Sequence, residues 1–370
     1  METEYHGFDV EGILVGPKAD FAYWTYDNLS EGTKEEFSRA RCENYDGDCD
    51  DGRYLHDLGR SAPRHSTGMW PPLSLGLASY DGISDEDLTE AAQKIVNLNL
   101  NPGVEKLLNF VIKESSGKVN LITSSYPAIA LTVADKFGIP FNQVFTCGYQ
   151  PQRGRAPKKT VLEEVKERSP ISHLSEDRGN LGKFLHDYFE VSEQLAKCFK
   201  APTSVDNEIL IRTLLERHNE LFEAYGNTPN QRNALKRMFL TEEGVMGSHR
   251  KVDAMRSVCD DRSAWSYIDD GIVGGMPIDF SDKGISMNMT NTHALPFSKL
   301  NVATEDLSQL IPIYDAMMNG DPMSGFKNRF DSEKIRVFTP RDIQQDIDAV
   351  VKANSEIKKK LKELYVPVKV

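Results

Sequence analysis

This sequence has few cysteines, no long apolar run and no excess of basic residues, and each of these features excludes some classes of protein. The five cysteines are scattered without a CxxC pair, so we expect free thiols in place of a disulfide scaffold or a zinc site. No apolar run approaches the ~20 residues of a membrane helix, so we expect no membrane insertion. The opening residues lack a basic segment followed by an apolar run, so we expect no secretory signal and a cytoplasmic location.

The charge balance is acidic, with a formal net charge of −12 at pH 7. A nucleic-acid-binding protein needs a positive surface against the phosphate backbone, so this balance argues against a nucleic-acid partner. It still allows a small phosphorylated metabolite, because a basic pocket can lie within an acidic protein. The length of 370 residues exceeds one compact domain and indicates a core with substantial additions.

The order of the predicted elements indicates an α/β protein. Short apolar runs predict strands that end near Asp9 and that cover 119–123, 141–147, 265–268 and 283–290. A strand, a helix and a second strand follow one another over 119–147, and this order predicts a parallel sheet.

Helical patterns dominate the remaining sequence. They cover most of 18–100, the charged stretch 150–245 and an amphipathic tail from Pro340 to Leu364. The Lys358-Lys359-Lys360 run in this tail is interpreted as a solvated helix end.

The segment Asp9-Val10-Glu11-Gly12 is the first candidate for chemistry. A carboxylate on a sharp turn after a strand can attack a phosphoryl group, and Asp9 has that position. Glu11, two residues further on, can act as general acid or base. The string is short, and a turn that merely ends a strand is the alternative interpretation.

Two later segments offer groups for a phosphate. Thr123 ends the predicted strand 119–123 and Ser124 follows it, where a hydroxyl and backbone N–H groups can hold phosphate oxygens. The alternative for Thr123 is an ordinary helix N-cap. Lys251 stands at a predicted helix start, where a cation is electrostatically unfavourable unless an anion lies nearby. Its alternative is a solvent-exposed lysine.

Asp269 and Asp270 directly follow the predicted strand 265–268. Carboxylates in this position suit Mg²⁺, a hard cation that takes one or two carboxylates and keeps several waters. An ordinary polar loop is the alternative. Because parallel strands bring their carboxyl ends to one edge of a sheet, we expect all these segments to meet there.

In this order, Asp9, Thr123, Lys251 and Asp270 resemble the four motifs of the haloacid-dehalogenase superfamily. The chain is similar, more specifically, to an archaeal branch described as energy-converting hydrogenase A subunit R, related to phosphoserine phosphatases. The segments that carry this resemblance are DVEG at 9–12, PGVE at 102–105, LITSSY at 121–126 and KGISMNMTNTHALP at 283–296.

The resemblance implies a Rossmann-like three-layer fold with a parallel sheet and helical cap insertions. It places the core in 1–18, 101–149 and 246–330, a helical cap in 19–100, a helical insertion in 150–245 and a C-terminal helical extension in 331–370.

It also implies a Mg²⁺-dependent phosphatase that hydrolyses a small phosphomonoester through an aspartyl phosphate on Asp9. The metal would lie between Asp9, the Glu11 carbonyl and Asp270, with Asp269 as a further candidate ligand. Thr123, Ser124 and Lys251 would hold the phosphoryl group.

The fourth motif departs from the family pattern. Gly274 stands where a second acid is usual, and Asp269 stands where glycine is usual. This exchange and the large helical insertion motivate a second hypothesis, a catalytically weakened relative that acts as a binding or assembly subunit. Self-association or a protein partner at the helical insertion also remains open, and the substrate is not named by the sequence.

Overall fold

The computed structural model describes most of the chain. The described residues are 4–16, 21–37, 70–116, 118–148, 160–169, 171–200, 209–210, 213, 216–217, 220–221, 224–226, 228–235, 246 and 248–368.

A seven-stranded sheet forms the centre of the described fold. Its strands are β1 Tyr5–Phe8, β2 Val119–Ile122, β3 Val144–Phe145, β4 Trp265–Asp269, β5 Lys283–Met287, β6 Leu300–Thr304 and β7 Ile335–Phe338. Their spatial order is β3-β2-β1-β4-β5-β6-β7. All neighbouring pairs are parallel except β6 and β7. The order places β1 between β2 and β4, so the end of β1 lies at the middle of the sheet.

Successive strand residues point to opposite faces of the sheet, and their side chains are packed in two apolar cores, one on each face. Leu121 and Ile268 belong to one core, whereas their chain neighbours Ile122 and Tyr267 belong to the other. Helices cover both faces, so the protein has the three-layer α/β architecture that the sequence predicts.

The helices up to residue 235 are α1 Phe21–Asn28, α2 Glu31–Glu36, α3 Trp70–Asp81, α4 Asp85–Asn99, α5 Val104–Glu114, α6 Pro127–Phe137, α7 Val161–Arg168, α8 Ile171–Leu174, α9 Arg178–Lys200 and α10 Pro229–Leu235. Those that follow are α11 Ser248–Val258, α12 Gly275–Phe280, α13 Ile311–Met318, α14 Phe326–Phe330, α15 Pro340–Gln345 and α16 Ile347–Glu363. Within the described residues, none of these helices is long and apolar enough to cross a membrane.

The two segments expected as separate helical additions contact each other. Glu36 of the first accepts hydrogen bonds from Tyr80 at 3.0 Å and lies 3.1 Å from His186 Nε2 of the second. Phe37 stacks on His186 with ring centroids 4.6 Å apart. Phe21 joins this layer to the core through an edge contact with Tyr126.

The C-terminal segment differs from the expected helical extension. Ile335–Phe338 forms β7 and extends the sheet, so the core continues past residue 330. A run of four residues carries too short an alternation to separate it from a loop. The tail helix is also divided, because Asp346 leaves helical geometry between α15 and α16 and caps α16 through Ala349 N.

Two further sequence predictions of strands need correction. Residues 141–147 contain a short 3₁₀ turn and only the two-residue strand β3, because Pro140 and the turn occupy the preceding positions. The strand predicted over 283–290 ends at Met287, and Asn288 adopts a positive φ of 51°. β6 was missed, since its apolar run LNVAT is brief and polar at its second position.

His6 in β1 is a buried polar side chain of the core. Its Nδ1 lies 2.7 Å from Ser266 Oγ, and its ring packs against Tyr314. Burial, helped by the charge of Lys283, lowers the pKa of His6 to about 3. The folded protein therefore keeps His6 neutral at pH values where an unfolded chain protonates it.

We expect this histidine to weaken the protein as pH falls. The stabilisation is complete above the unfolded pKa of about 6.5 and is lost progressively towards pH 3. Between pH 7 and pH 5 the loss from His6 is about 2 kcal/mol. Urea denaturation at both pH values would show a smaller drop for His6→Asn than for the unmodified chain; equal drops would contradict this assignment.

Candidate functional site

Polar side chains from distant parts of the sequence meet at the carboxyl ends of β1, β2 and β4. Asp9 follows β1, Thr123 follows β2, and Asp269 ends β4. Ligands of parallel α/β sheets bind at this edge, where strand ends and helix N-termini meet. The structure thus brings the predicted segments together at the centre of the sheet.

Lys251 is the cation of this cluster. It lies in the first turn of α11, and its side chain is fully buried. Its Nζ donates to Asp269 Oδ2 at 2.7 Å and to Asp9 Oδ2 at 3.1 Å. Burial alone lowers the pKa of Lys251, but the two carboxylates raise it above its ordinary value. The solvent-exposed alternative is wrong, and the lysine bridges two acids.

Asp9 is buried beside Lys251. Its backbone N–H donates to Ile268 O at 3.0 Å, and its Oδ1 accepts from Val10 N at 2.8 Å. Burial, with Asp269 beside it, raises the pKa of Asp9 to about 7, while Lys251 and a hydrogen bond from Thr123 act in the opposite direction. Burying this carboxylate is tolerated because it is paired and hydrogen-bonded.

Asp269 is fully buried and held from three directions. Beyond the bond from Lys251, its Oδ2 lies 2.9 Å from the Tyr267 hydroxyl, and its Oδ1 accepts from Gly271 N at 2.9 Å. The Tyr267 ring passes over Gly7 of β1, where a Cβ would lie 2.5 Å from the ring. Gly7 therefore makes room for the side chain that supports Asp269.

Asp270 lies beside Asp269 on the loop after β4. Its carboxylate packs on Gly12, where a Cβ would stand 2.2 Å from Oδ1, and Gly12 has a positive φ of 83°. The glycine of the DVEG segment is therefore required twice, by its backbone conformation and by the closeness of Asp270. Asn101 fixes the same loop by donating to Gly12 O at 3.1 Å and to Ile13 O at 2.8 Å.

The packing of Asp269 explains why residue 274 is a glycine. A Cβ at this position would lie 2.2 Å from Asp269 Cγ and 2.5 Å from Asp269 Oδ1. A side chain at 274 and the observed Asp269 carboxylate exclude each other. The carboxylate of Asp269 occupies the space that a side chain at 274 would need.

Asp279, the next acid along the chain, does not substitute for it. It is exposed on α12 and pairs with Lys299 at 3.0 Å. Its carboxylate belongs to the surface.

Thr123 and Ser124 lie in the turn between β2 and α6. Thr123 is buried, and its Oγ accepts from Ser125 N at 3.2 Å, while its hydroxyl bonds to Asp9. The N-cap of α6 is Tyr126, so the alternative of Thr123 as a helix cap is wrong. Ser124 is half-buried in the turn and follows Thr123 at the same edge.

The Glu11 carboxylate reaches the start of α1. Its Oε1 accepts from Phe21 N at 2.6 Å, at the start of α1. A carboxylate at a helix start is electrostatically favourable. The side chain thus lies at the junction between the core and the helical layer.

The three aspartates are fit to hold a metal ion. One carboxylate oxygen of each of Asp9, Asp269 and Asp270 lies within 4.8 Å of the other two. Oxygen-only donors suit a hard divalent cation such as Mg²⁺. The Glu11 side chain is not among these donors.

Comparison with solved structures finds a protein of similar fold. The gene product AF1437 from Archaeoglobus fulgidus has 14% sequence identity and a TM-score of 0.59, covering 98% of this chain and 97% of that chain. At this identity the likeness concerns the α/β fold alone. No protein-family model matches the chain, and no curated protein matches its sequence. Membership of the haloacid-dehalogenase superfamily stays a prediction.

One residue of the cluster was not anticipated. Lys358 of α16 places its Nζ 3.1 Å from Asp270 Oδ2, and the two side chains are 13% and 12% exposed. The expectation of a solvated lysine run is wrong for this residue, although Lys359 is exposed. The contact spans distant parts of the chain, and a helical pattern does not reveal which remote loop a lysine meets.

The exclusion between residues 269 and 274 gives a stability prediction. We expect Gly274→Ala to destabilise the fold by about 1–3 kcal/mol, the usual cost of overpacking. Gly271→Ala is the matched control, since its Cβ would meet Asp269 Oδ1 at an ordinary 3.6 Å. Thermal or urea denaturation measures both.

A double variant tests whether the Asp269 side chain is the reason for the glycine at 274. Asp269→Gly combined with Gly274→Asp should be more stable than Gly274→Asp alone, because it removes the side chain that collides. If the second change gave no recovery, the clash would not be the reason for Gly274.

Proposed function

We propose that this protein is a divalent-cation-dependent phosphatase of the haloacid-dehalogenase type, which hydrolyses a small phosphomonoester through an aspartyl phosphate on Asp9. The observation that carries the proposal is the buried cluster of Asp9, Asp269, Asp270 and Lys251 at the carboxyl edge of a parallel sheet. Phosphoryl transfer depends mainly on positioning and on charge stabilisation, and this cluster offers both.

The charge of the cluster supports a dication and a phosphate together. With Asp9, Asp269, Asp270, Lys251 and Lys358 ionised, one net negative charge remains. A divalent cation makes the cluster cationic, and a phosphate dianion then has a favourable partner. Mg²⁺ would be held by Asp9 and Asp270, with Asp269 beside them, and when bound it would supply neutralisation of charge on the phosphoryl oxygens.

The proposed reaction has two steps. In the first, an Asp9 carboxylate oxygen forms a bond to phosphorus, and the ester P–O bond breaks with the electron pair leaving on the alcohol oxygen. In the second, water attacks phosphorus, the acyl-phosphate P–O bond breaks, and Asp9 is regenerated with inorganic phosphate. Lys251 and the Thr123 hydroxyl stand beside Asp9, where they stabilise phosphoryl oxygens.

Proton transfer is assigned to Glu11. It would give a proton to the leaving alcohol oxygen in the first step and take one from the attacking water in the second. Its position next to Phe21 places it where the helical layer meets the core. A layer over a site of this kind excludes water and selects the substrate.

The alternative, a catalytically weakened protein that acts as a binding or assembly subunit, was suggested by Gly274 and by the large helical insertion. The carboxylate of Asp269 fills the space next to that glycine, which supports an acidic cluster without a side chain at 274. Association through the helical insertion stays a prediction.

The nucleophile is tested by substitution. We expect Asp9→Asn to lower kcat by roughly a thousandfold or more, because an amide does not form the acyl phosphate. The assay is phosphate release from a panel of phosphorylated metabolites with Mg²⁺. Asp279→Asn makes the same chemical change at an exposed surface position and should retain full activity. Equal activity of the unmodified chain and Asp9→Asn would sink the proposal.

Mimics of the phosphorylated aspartate and of the transferring phosphoryl group separate the enzyme from the assembly subunit. Beryllofluoride or vanadate with Mg²⁺ should raise Tm, because a ligand that binds only the folded state stabilises it. The shift should vanish in Asp9→Asn and persist in Asp279→Asn. A stable co-purifying protein together with no shift in the unmodified chain would favour the subunit.

A further inference from the structure

Lys358 joins the site from the C-terminal helix. Its Nζ lies 3.1 Å from Asp270 Oδ2, and both side chains are largely shielded from solvent. The pair is therefore much less screened than a surface salt bridge, for which the contribution is small. The contact ties one of the three aspartates to a segment far along the chain.

The helix that carries Lys358 is fixed by other contacts. Asn354, one turn earlier on the same face, is fully buried and donates to Met289 O at 2.6 Å and to Asn301 Oδ1 at 3.1 Å. Val350 and Leu361 of α16 are also buried. The helix therefore presents Lys358 to Asp270 without depending on that ion pair, and a change at 358 should leave the fold intact.

The same carboxylate is part of the candidate cation site. Asp270 offers one of three ligand oxygens that lie within 4.8 Å of one another. A divalent cation bound through Asp270 would stand close to the Lys358 ammonium, and two like charges at that distance in a shielded site repel strongly. A lysine and a divalent cation are therefore competitors for this aspartate.

We propose that Lys358 is the resident counter-ion of Asp270 and that a divalent cation displaces its ammonium, so that Lys358 sets the affinity of the site for the cation. The inference deepens the proposed function and rests on it in taking the three aspartates as a cation site. In the absence of a cation, Lys358 offsets one of three clustered carboxylates, which would otherwise repel one another. Lys358 is thus a positioning residue that acts through Asp270.

Cation affinity is the direct test. Isothermal titration with Mg²⁺, and with Mn²⁺ as a second probe, would compare the unmodified chain with Lys358→Met, Lys358→Arg and Lys359→Met. Lys358→Met should bind both ions about tenfold more tightly, which is about 1.4 kcal/mol. Lys358→Arg keeps the positive charge and should resemble the unmodified chain. Lys359→Met removes an exposed charge from the same helix and should change affinity by less than about twofold.

Thermal denaturation supplies a second readout. In EDTA, Lys358→Met should melt below the unmodified chain, because Asp270 loses its counter-ion. Added Mg²⁺ should raise Tm more in Lys358→Met than in the unmodified chain, as expected for a cation that binds more tightly to the folded state.

The outcomes separate this inference from the proposed function. Equal or weaker Mg²⁺ binding in Lys358→Met, with binding abolished by Asp270→Asn, overturns the competition and leaves the cation site standing. If the unmodified chain and Lys358→Met both fail to bind Mg²⁺ and Mn²⁺ at millimolar concentration, the cation-dependent function fails and this inference fails with it.

Discussion

The bridge from Lys251 to Asp9 and Asp269 is the interaction on which the candidate site depends. The lysine and Asp269 are fully buried, and Asp9 is nearly so. Isolated charges at this depth are too costly to retain, but a paired and hydrogen-bonded set is tolerated. The bridge also connects β1, β4 and α11, so the geometry of the site depends on the packing of the central sheet.

Glycines around this cluster follow from that constraint. Gly7 admits the Tyr267 ring, Gly12 admits the Asp270 carboxylate, and Gly274 admits the Asp269 carboxylate. Each lacks a Cβ where a neighbouring side chain of the cluster or its support occupies the space. Gly274, where the family resemblance predicted a second acid, leaves the space in which the Asp269 carboxylate lies.

The C-terminal segment connects the cluster to the helical layer. β7 extends the sheet, α16 packs on it and supplies Lys358, and the tail continues to the first helices of the chain. There Asn99 exchanges hydrogen bonds with the backbone of Val366 at 2.8 and 3.0 Å, and Trp24 Nε1 donates to Val368 O at 3.1 Å. A segment expected to be an appendage thus contacts the sheet, the site and the helical layer.

The sequence by itself determined the α/β class and the edge at which Asp9, Thr123 and Asp269 meet, because the carboxyl ends of parallel strands lie at the same edge of a sheet. The sequence left the alternatives for Thr123 and Lys251 open, since burial is not readable from one lysine or one threonine in a polar string. It missed β6, because brief runs carry little periodicity, and it interpreted 331–370 as helical, although Ile335–Phe338 is a strand.

Only the tertiary structure decided which aspartate faces which lysine and why residue 274 is glycine. Those facts depend on distances between groups remote in the chain, such as Lys358 and Asp270, and no local pattern encodes such a distance.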